Sequence, residues 1–232
     1  MKKILFVTAT VKEMKASLGG VCSLPALKPG VPVEFSFSGK PGLLLVTGIG
    51  VINTSFALGY TLAKYDTELV ILAGVAGTFV PDRFPVGSAC SVKIEIWPEY
   101  GLKSGDEIDP RGLGFCLAEI DGESVWDRVG LMSGVSLVNS GLDRLAKLPE
   151  AISLTVSGVT ATADGADRFR KKFAVDIENM EGFAAAYVCS MSGVSICQVR
   201  TISNLVGSRE TEDWDLRGAL AELGRVCSWI VK

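Results

Sequence analysis

The sequence predicts a three-layer α/β domain, and three observations carry that prediction. Apolar, β-branched runs recur along the chain with turn residues between them, and stretches of helical length separate the runs. Several runs, such as "LVILAGVAG" (69–77), are apolar throughout rather than alternating, as expected of strands covered on both faces. At 232 residues the chain is expected to form one domain over 1–232, long enough to bury roughly 70 % of its unfolded surface.

"KILFVTAT" (3–10) opens the chain as a strand. The N-terminus "MKKILFVTATVKEM" has the beginning of a secretory signal. Its apolar run is only about eight residues, however, and no small-residue cleavage site precedes Lys12 and Glu13, so the reading is a first strand in a cytoplasmic protein. A helix is expected over 11–18. Strands follow at "VEFSF" (33–37) and "LLLVTG" (43–48), then a helix over 51–65 behind a glycine turn. Further strands are expected at 69–77 and "SACSVKIEIW" (88–97). The segment "EYGLKSGDEIDPRGLGF" (99–115) is rich in Gly and Asp, has no period, and reads as a long surface loop. Helices over 141–147, 164–172, 180–191 and 213–231 are interleaved with strands "SLTVSGVT" (153–160) and "SICQVRTISN" (195–204).

Composition excludes several classes of function. The chain is 48 % hydrophobic and 21 % charged, and a net charge of −3 provides no electrostatic footprint for nucleic acid or anionic lipid. No apolar run reaches the roughly 18 residues of a membrane span. Six cysteines form no CxxC pair, and there is no histidine, so neither a zinc site nor a disulfide framework is expected. The missing histidine also removes Ser-His-Asp and Cys-His catalysis and points to chemistry run on carboxylates.

One stretch poses a question. "VDIENMEGFAAAYVCSMSG" (175–193) is nearly all small or apolar from Gly182 onward, yet Glu178 and Glu181 stand at its head. No Lys or Arg lies within five residues of Glu181. An unpartnered carboxylate in an apolar setting costs several kcal/mol, so Glu181 is neutral, exposed or kept for a ligand. Other places are ambiguous alone. "VTGIGVINTSFALGY" (46–60) begins like a dinucleotide fingerprint, but Asn53 stands at the third glycine position and no acidic residue follows at the right distance. "AGVAGTF" (73–79) is a second glycine turn, either a tight turn or a close backbone approach to a ligand. Glu13, taken alone, reads as a solvated first-turn acid favouring the helix dipole. Ser203 and Asn204 end a strand, where Asn often serves turn chemistry.

Taken together, Glu13, "TGIG" (47–50), "AGVAG" (73–77), "NMEG" (179–182) and "VRTISN" (199–204) resemble the nucleoside phosphorylase and nucleosidase superfamily, in the branch of the methylthioadenosine/S-adenosylhomocysteine nucleosidases. "NMEG" followed by "ISN" is the specific part. Within the superfamily, "ENMEGFA", "RTISNLVGSR" with a following Trp, and the loop "EYGLKSGDE…GLGF" are most similar to the futalosine hydrolases.

The resemblance implies an α/β/α fold with a central mixed, twisted sheet, nucleoside phosphorylase-like, and a small-molecule nucleoside as substrate. It implies that Glu181 binds ribose hydroxyls, kept ionised by a helix N-terminus. Met180 would lie on the apolar face of the sugar, and Ala76 and Gly77 would supply the backbone beside it. Glu13 would orient and deprotonate water, and Glu178 is left as a structural or rim acid. Where the methylthioadenosine enzymes carry Asp, this chain has Asn204, which cannot act as an acid but can donate to a 6-oxo group or N7. Hypoxanthine is therefore favoured over adenine, with Ser203 or water assisting its departure. The purine wall falls near "SGVTATADG" (157–165), with Thr162 named for it, while Phe183 and Trp214 either close the far end or belong to the core. Phosphorolysis is disfavoured because a carboxylate stands where a phosphate would sit. An adenine nucleosidase and a binding module that turns nothing over are the remaining alternatives. No metal or cofactor is implied, and a homodimer or higher homo-oligomer is.

Overall fold

The computed structural model describes residues 2–105 and 107–231. Met1, Asp106 and Lys232 lie outside them, so the loop read over 99–115 is described without Asp106 and the span 1–232 without its end residues. In chain order the elements are β1 (Lys3–Thr8), α1 (Val11–Leu18), β2 (Val33–Phe37), β3 (Lys40–Val46), α2 (Val51–Lys64), β4 (Thr67–Thr78) and β5 (Ala89–Ile96). Short strands β6 (Leu102–Ser104), β7 (Glu107–Asp109), β8 (Ala118–Ile120), β9 (Glu123–Val125) and β10 (Arg128–Gly130) follow, then α3 (Val135–Asn139), β11 (Glu150–Thr155) and α4 (Ala163–Phe173). The last elements are β12 (Ile177–Asn179), α5 (Gly182–Met191), β13 (Ser195–Leu205) and α6 (Leu216–Val231).

Among the described residues nine strands form one mixed sheet, as the resemblance implied. The strands β3, β1, β4 and β13 are parallel neighbours, so their carboxyl ends lie along one edge. Strict alternation on these strands produces the layers. Phe6, Leu44, Val46, Ile71 and Val199 face α1 and α6, while Leu5, Val7, Leu43, Leu45 and Val70 face α2 and α5. Both faces are apolar, which is why the runs did not alternate with polar residues.

The sheet also closes on itself. Strand β4 pairs with β13, β13 with β5, β5 with β11, β11 with β12, and β12 again with β4. Ala76, Cys90, Val92, Ala151, Ile177 and Ile202, one or two from each of the five strands, pack together with Phe84. The three-residue β12 exists because Ile177–Asn179 completes this ring. That pairing delays the start of the expected 180–191 helix to Gly182.

Three expectations need correction. The helix read over 141–147 is instead α3 at Val135–Asn139 and a 3-10 turn at Leu145–Lys147, because Gly141 takes φ of 75° and breaks the run. The loop over 99–115 contains the β6–β7 hairpin. The strand read over 153–160 ends at Thr155, and the chain then turns toward α4. All six cysteines are free, and burial pushes the thiols of Cys90, Cys197 and Cys227 up to about 12, leaving them unreactive.

Candidate active site

A cleft of about 370 Å³ opens at the shared carboxyl edge of β1, β4 and β13. Glu13, Ala76, Gly77, Met180, Glu181, Ser203 and Asn204 all line it. Residues from opposite ends of the sequence meet there because the parallel strands that carry them finish side by side.

Glu13 is held from two directions. Thr10 caps α1, its hydroxyl accepting from the Glu13 backbone N–H at 3.1 Å while Glu13 Oε2 accepts from Thr10 N–H at 2.9 Å. The other oxygen, Oε1, accepts from Val75 N–H at 3.1 Å, which ties the first helix to the glycine turn of β4. Helix capping and cleft placement are therefore the same geometry, and the bland reading of Glu13 as a first-turn acid is true as well.

Glu181 is 5 % exposed and sits at the N-cap of α5 without accepting from the helix. Its Oε1 accepts from Gly50 N–H at 3.0 Å, so the "TGIG" turn, with φ near 92° at Gly50, presents a backbone donor to the carboxylate. Although no Lys or Arg lies within five residues in sequence, the fold gives Glu181 a cationic partner. Arg200, 1 % exposed on β13, places Nη1 at 3.5 Å from Oε2. Glu181 lines the cleft while Arg200 stands behind it, so the carboxylate has a buried counter-charge and is still presented to a ligand. The idea that the helix terminus decides its charge state also needs correction. Burial pushes the Glu181 carboxyl above the usual carboxylate range, against Arg200, which draws it down, and the Gly50 hydrogen bond.

Gly74 explains how Arg200 and Glu13 share the floor. A Cβ there would stand 2.7 Å from Arg200 Nη1 and 2.8 Å from Glu13 Oε1, so only hydrogen leaves room for both groups. Gly77 plays the same part for Asn204, whose Nδ2 lies 2.9 Å from where a Cβ would be. The Ser203 hydroxyl is 2.8 Å from Asn204 Oδ1, and Asn204 Nδ2 donates to Leu205 O at 3.1 Å. That leaves one amide N–H of Asn204 without a protein partner among the described residues. Ser203 is consequently spent on orienting Asn204.

Thr162 does not reach the cleft. It is exposed and caps α4, its hydroxyl accepting from Gly165 N–H at 3.2 Å. Val159 and Thr160 form that wall instead. Glu178 is buried rather than at the rim, lines the cleft, and accepts from Thr160 N–H at 3.0 Å and from the Thr160 hydroxyl. Burial pushes its carboxyl up, and the two Thr160 hydrogen bonds oppose that. Phe183 packs against Trp97 and Tyr187 in the core, whereas Trp214 lines the open end of the cleft with Arg209 above its ring. Sequence reasoning assigned no role to Arg200, Gly50 or Thr160, although each falls in a stretch it singled out. For Arg200 there was a signal, since an Arg within "SICQVRTISN" has to be buried and partnered if that strand is internal.

Comparison with known proteins bears on the family and the fold. The family model described as the Phosphorylase superfamily matches residues 130–230. The futalosine hydrolase of Thermus thermophilus is 33 % identical over 200 residues, covering 84 % of this chain and 85 % of the relative. That of Acidothermus cellulolyticus is 30 % identical over 232 residues, covering 95 % and 87 %. Among solved structures, the 5′-methylthioadenosine/S-adenosylhomocysteine nucleosidase of Helicobacter pylori superposes with a TM-score of 0.79 over 100 % of this chain and 98 % of that one, at 18 % identity, a likeness of fold. With its cleft residues carried on that fold and its sequence covered by such relatives, the chain belongs to the futalosine hydrolase family of the phosphorylase superfamily and is a nucleosidase that hydrolyses N-glycosidic bonds.

Proposed function

We propose that this single-domain enzyme cleaves futalosine to hypoxanthine and dehypoxanthine futalosine, in the cytoplasm, as a step of menaquinone biosynthesis. The observation that carries the substrate reading is Asn204. Its oxygen is engaged by Ser203 and one N–H by Leu205, so what it offers a purine is a donor, which suits the 6-oxo group of hypoxanthine; N7 accepts in either purine, so the choice between bases rests on position 6. Adenine presents an amine at position 6, and a donor facing a donor leaves both unpaired.

Glu181 accepts from the ribose hydroxyls while Met180 lies against the sugar's apolar face. Each hydrogen bond to the ionised carboxylate contributes about 1.5–3 kcal/mol. A water held by Glu13 attacks the anomeric carbon as the C–N bond breaks through an oxocarbenium-like state. Glu13 takes a proton from the attacking water, and the departing base, its charge drawn toward the Asn204 N–H, is protonated by solvent water, to which Glu13 returns its proton to close the cycle. Ala76 and Gly77 bring the backbone close to the sugar, so that water and anomeric carbon are held together. Arg200 is hemmed in by Glu181, the Val75 carbonyl and nearby Glu13, so although Lys12 and Arg209 also line the cleft, the guanidinium beside the sugar site is not free for a phosphate dianion. Hydrolysis is favoured over phosphorolysis on that ground.

A homodimer is part of this reading. Ile52, Phe56 and Tyr60 are exposed at helical spacing on α2, continuous with Ile49 at the cleft mouth, and a second copy would cover that stripe. The described residues contain no helix long and apolar enough to cross a membrane.

The test is to incubate the protein with futalosine, inosine and methylthioadenosine, with and without phosphate, and to follow free base by chromatography. Hypoxanthine from futalosine without phosphate is expected. Adenine from methylthioadenosine alone overturns the base assignment.

A further inference from the structure

Behind the cleft lies a carboxylate that the reaction does not use. Glu95, on β5, is 0 % exposed. Its Oε2 accepts from Thr155 Oγ1 at 2.7 Å, and its Oε1 accepts from Asn179 Nδ2 at 2.8 Å and Gln198 Nε2 at 2.7 Å. Burial pushes this carboxyl up, while Arg200 and the three donors draw it down.

Two of those donors lead to the start of α5. Asn179 gives its second N–H to Ser153 Oγ at 2.7 Å, so its amide cannot turn over. Its Oδ1 then accepts from Glu181 N–H at 2.8 Å, Gly182 N–H at 2.6 Å and Arg200 Nη2 at 3.0 Å. Thr155 Oγ1, having given its hydrogen to Glu95, accepts from Phe183 N–H at 2.7 Å. Three successive N–H groups at the head of the helix thus end on acceptors anchored by one buried acid. An N-cap side chain normally folds back to satisfy such orphan donors. Here they are already taken, so the Glu181 carboxylate is released from capping and turned to the cleft. The glycine of "NMEG" belongs to the same arrangement, because a Cβ at Gly182 would stand 1.9 Å from Glu95 Oε1.

We infer that Glu95 is a positioning residue: through Asn179 and Thr155 it sets the backbone of α5 that aims Glu181, and through Asn179 it holds the guanidinium beside Glu181. The inference rests on the reading that Glu181 receives the ribose hydroxyls.

Glu95→Gln breaks the arrangement in either orientation of the new amide. With nitrogen toward Asn179, donor faces donor; with nitrogen toward Thr155, that hydroxyl loses its acceptor and the charge is gone. The double substitution Glu95→Gln with Asn179→Asp moves the charge one link along and restores the matches. The carboxylate introduced at position 179 would accept from α5 and Arg200 on one oxygen. On the other it would accept from Ser153 and from the amide introduced at position 95. Gln198, whose Oε1 has no partner in the wild type, turns over to accept from that same amide, which leaves its own NH2 without an acceptor, so the restoration covers the path to α5 and costs some stability at Gln198.

The experiment compares kcat/KM for futalosine and its 2′-deoxy counterpart in the wild type, Glu95→Gln and the double variant, with circular dichroism to confirm folding. Glu95→Gln should lose at least about tenfold on futalosine and less than about threefold on the deoxy compound, so that hydroxyl discrimination collapses. The double variant should return to within about threefold of wild-type discrimination. An equal loss on both compounds, or unchanged discrimination, overturns the inference. So does a double variant that is unfolded or unrescued. If the wild type itself makes no distinction between the two compounds, the ribose role of Glu181 fails first, and this inference falls with it.

Discussion

Arg200 Nη1 stands 3.5 Å from Glu181 Oε2, with both side chains almost sealed from solvent. Because burial raises the Glu181 carboxyl and Arg200 holds it down, the pair sets the pH range over which Glu181 accepts from a sugar. The active form is the ionised one. Activity is therefore lost as pH falls through a raised pKa, and the acid limb of kcat/KM should lie above the ordinary carboxylate value of about 4.3. Arg200→Gln should move that limb further upward while lowering the plateau. A limb at or below the ordinary value in the wild type, or an unmoved limb in the variant, would show that Glu181 does not govern the profile.

Glu13→Gln can keep the capping box with its single oxygen, but its amide nitrogen then faces Val75 N–H, which loses its acceptor. The thermal midpoint should fall modestly and ligand affinity change little, while kcat drops by at least roughly a hundredfold, the low end for a positioned base. Single-turnover rates alongside hypoxanthine binding separate the two effects. Near-normal turnover removes Glu13 from the mechanism.

Gly74→Ala should be far more damaging than an added methyl normally is. The new Cβ meets Arg200 Nη1 and Glu13 Oε1 at once, and both are held by other bonds. Steric insertion of this kind costs about 1–3 kcal/mol. Chemical denaturation should show that loss together with impaired turnover, and an unperturbed variant would mean that the floor yields easily.

Asn204→Asp replaces the free amide donor by an acceptor. Activity on the 6-oxopurine nucleoside should fall by at least about tenfold, and 6-aminopurine nucleosides should gain relative to it. Unchanged selectivity in a competition assay would place base choice elsewhere.

Glu178→Gln tests burial energetics. A carboxyl whose folded pKa is raised contributes stability that is complete below its unfolded pKa and is lost as pH rises through the folded one. The neutral amide of the variant has no such loss. Urea midpoints at pH 5 and pH 7 should thus show the variant gaining on the wild type as pH rises, and a pH-independent difference would contradict the assigned shift.

Much of the site was legible because its residues sit at strand ends and helix heads, where composition departs from the apolar background. Glu181 stands out locally, whereas Glu13 after β1, the glycines of β4, and Ser203 and Asn204 on β13 are ambiguous singly and became legible through their order along the chain. Thr162 failed for the opposite reason. Its stretch was judged as a strand continuing to 160, but β11 ends at Thr155 and leaves Thr162 to cap a helix.

By itself the sequence determined the layered α/β architecture, through strand-length runs apolar on both faces with helical stretches between them, and the carboxylate character of the candidate site, through its lack of histidine. Only the tertiary structure decided which groups share charge. Arg200 meets Glu181, and Glu95 reaches Asn179, because the ring of β4, β13, β5, β11 and β12 fixes a register between distant segments. A buried Arg or Glu announces that it must have a partner, since the cost of leaving it bare is prohibitive. Which partner it takes depends on side chains a few ångströms apart in space, and local pattern carries no information about that.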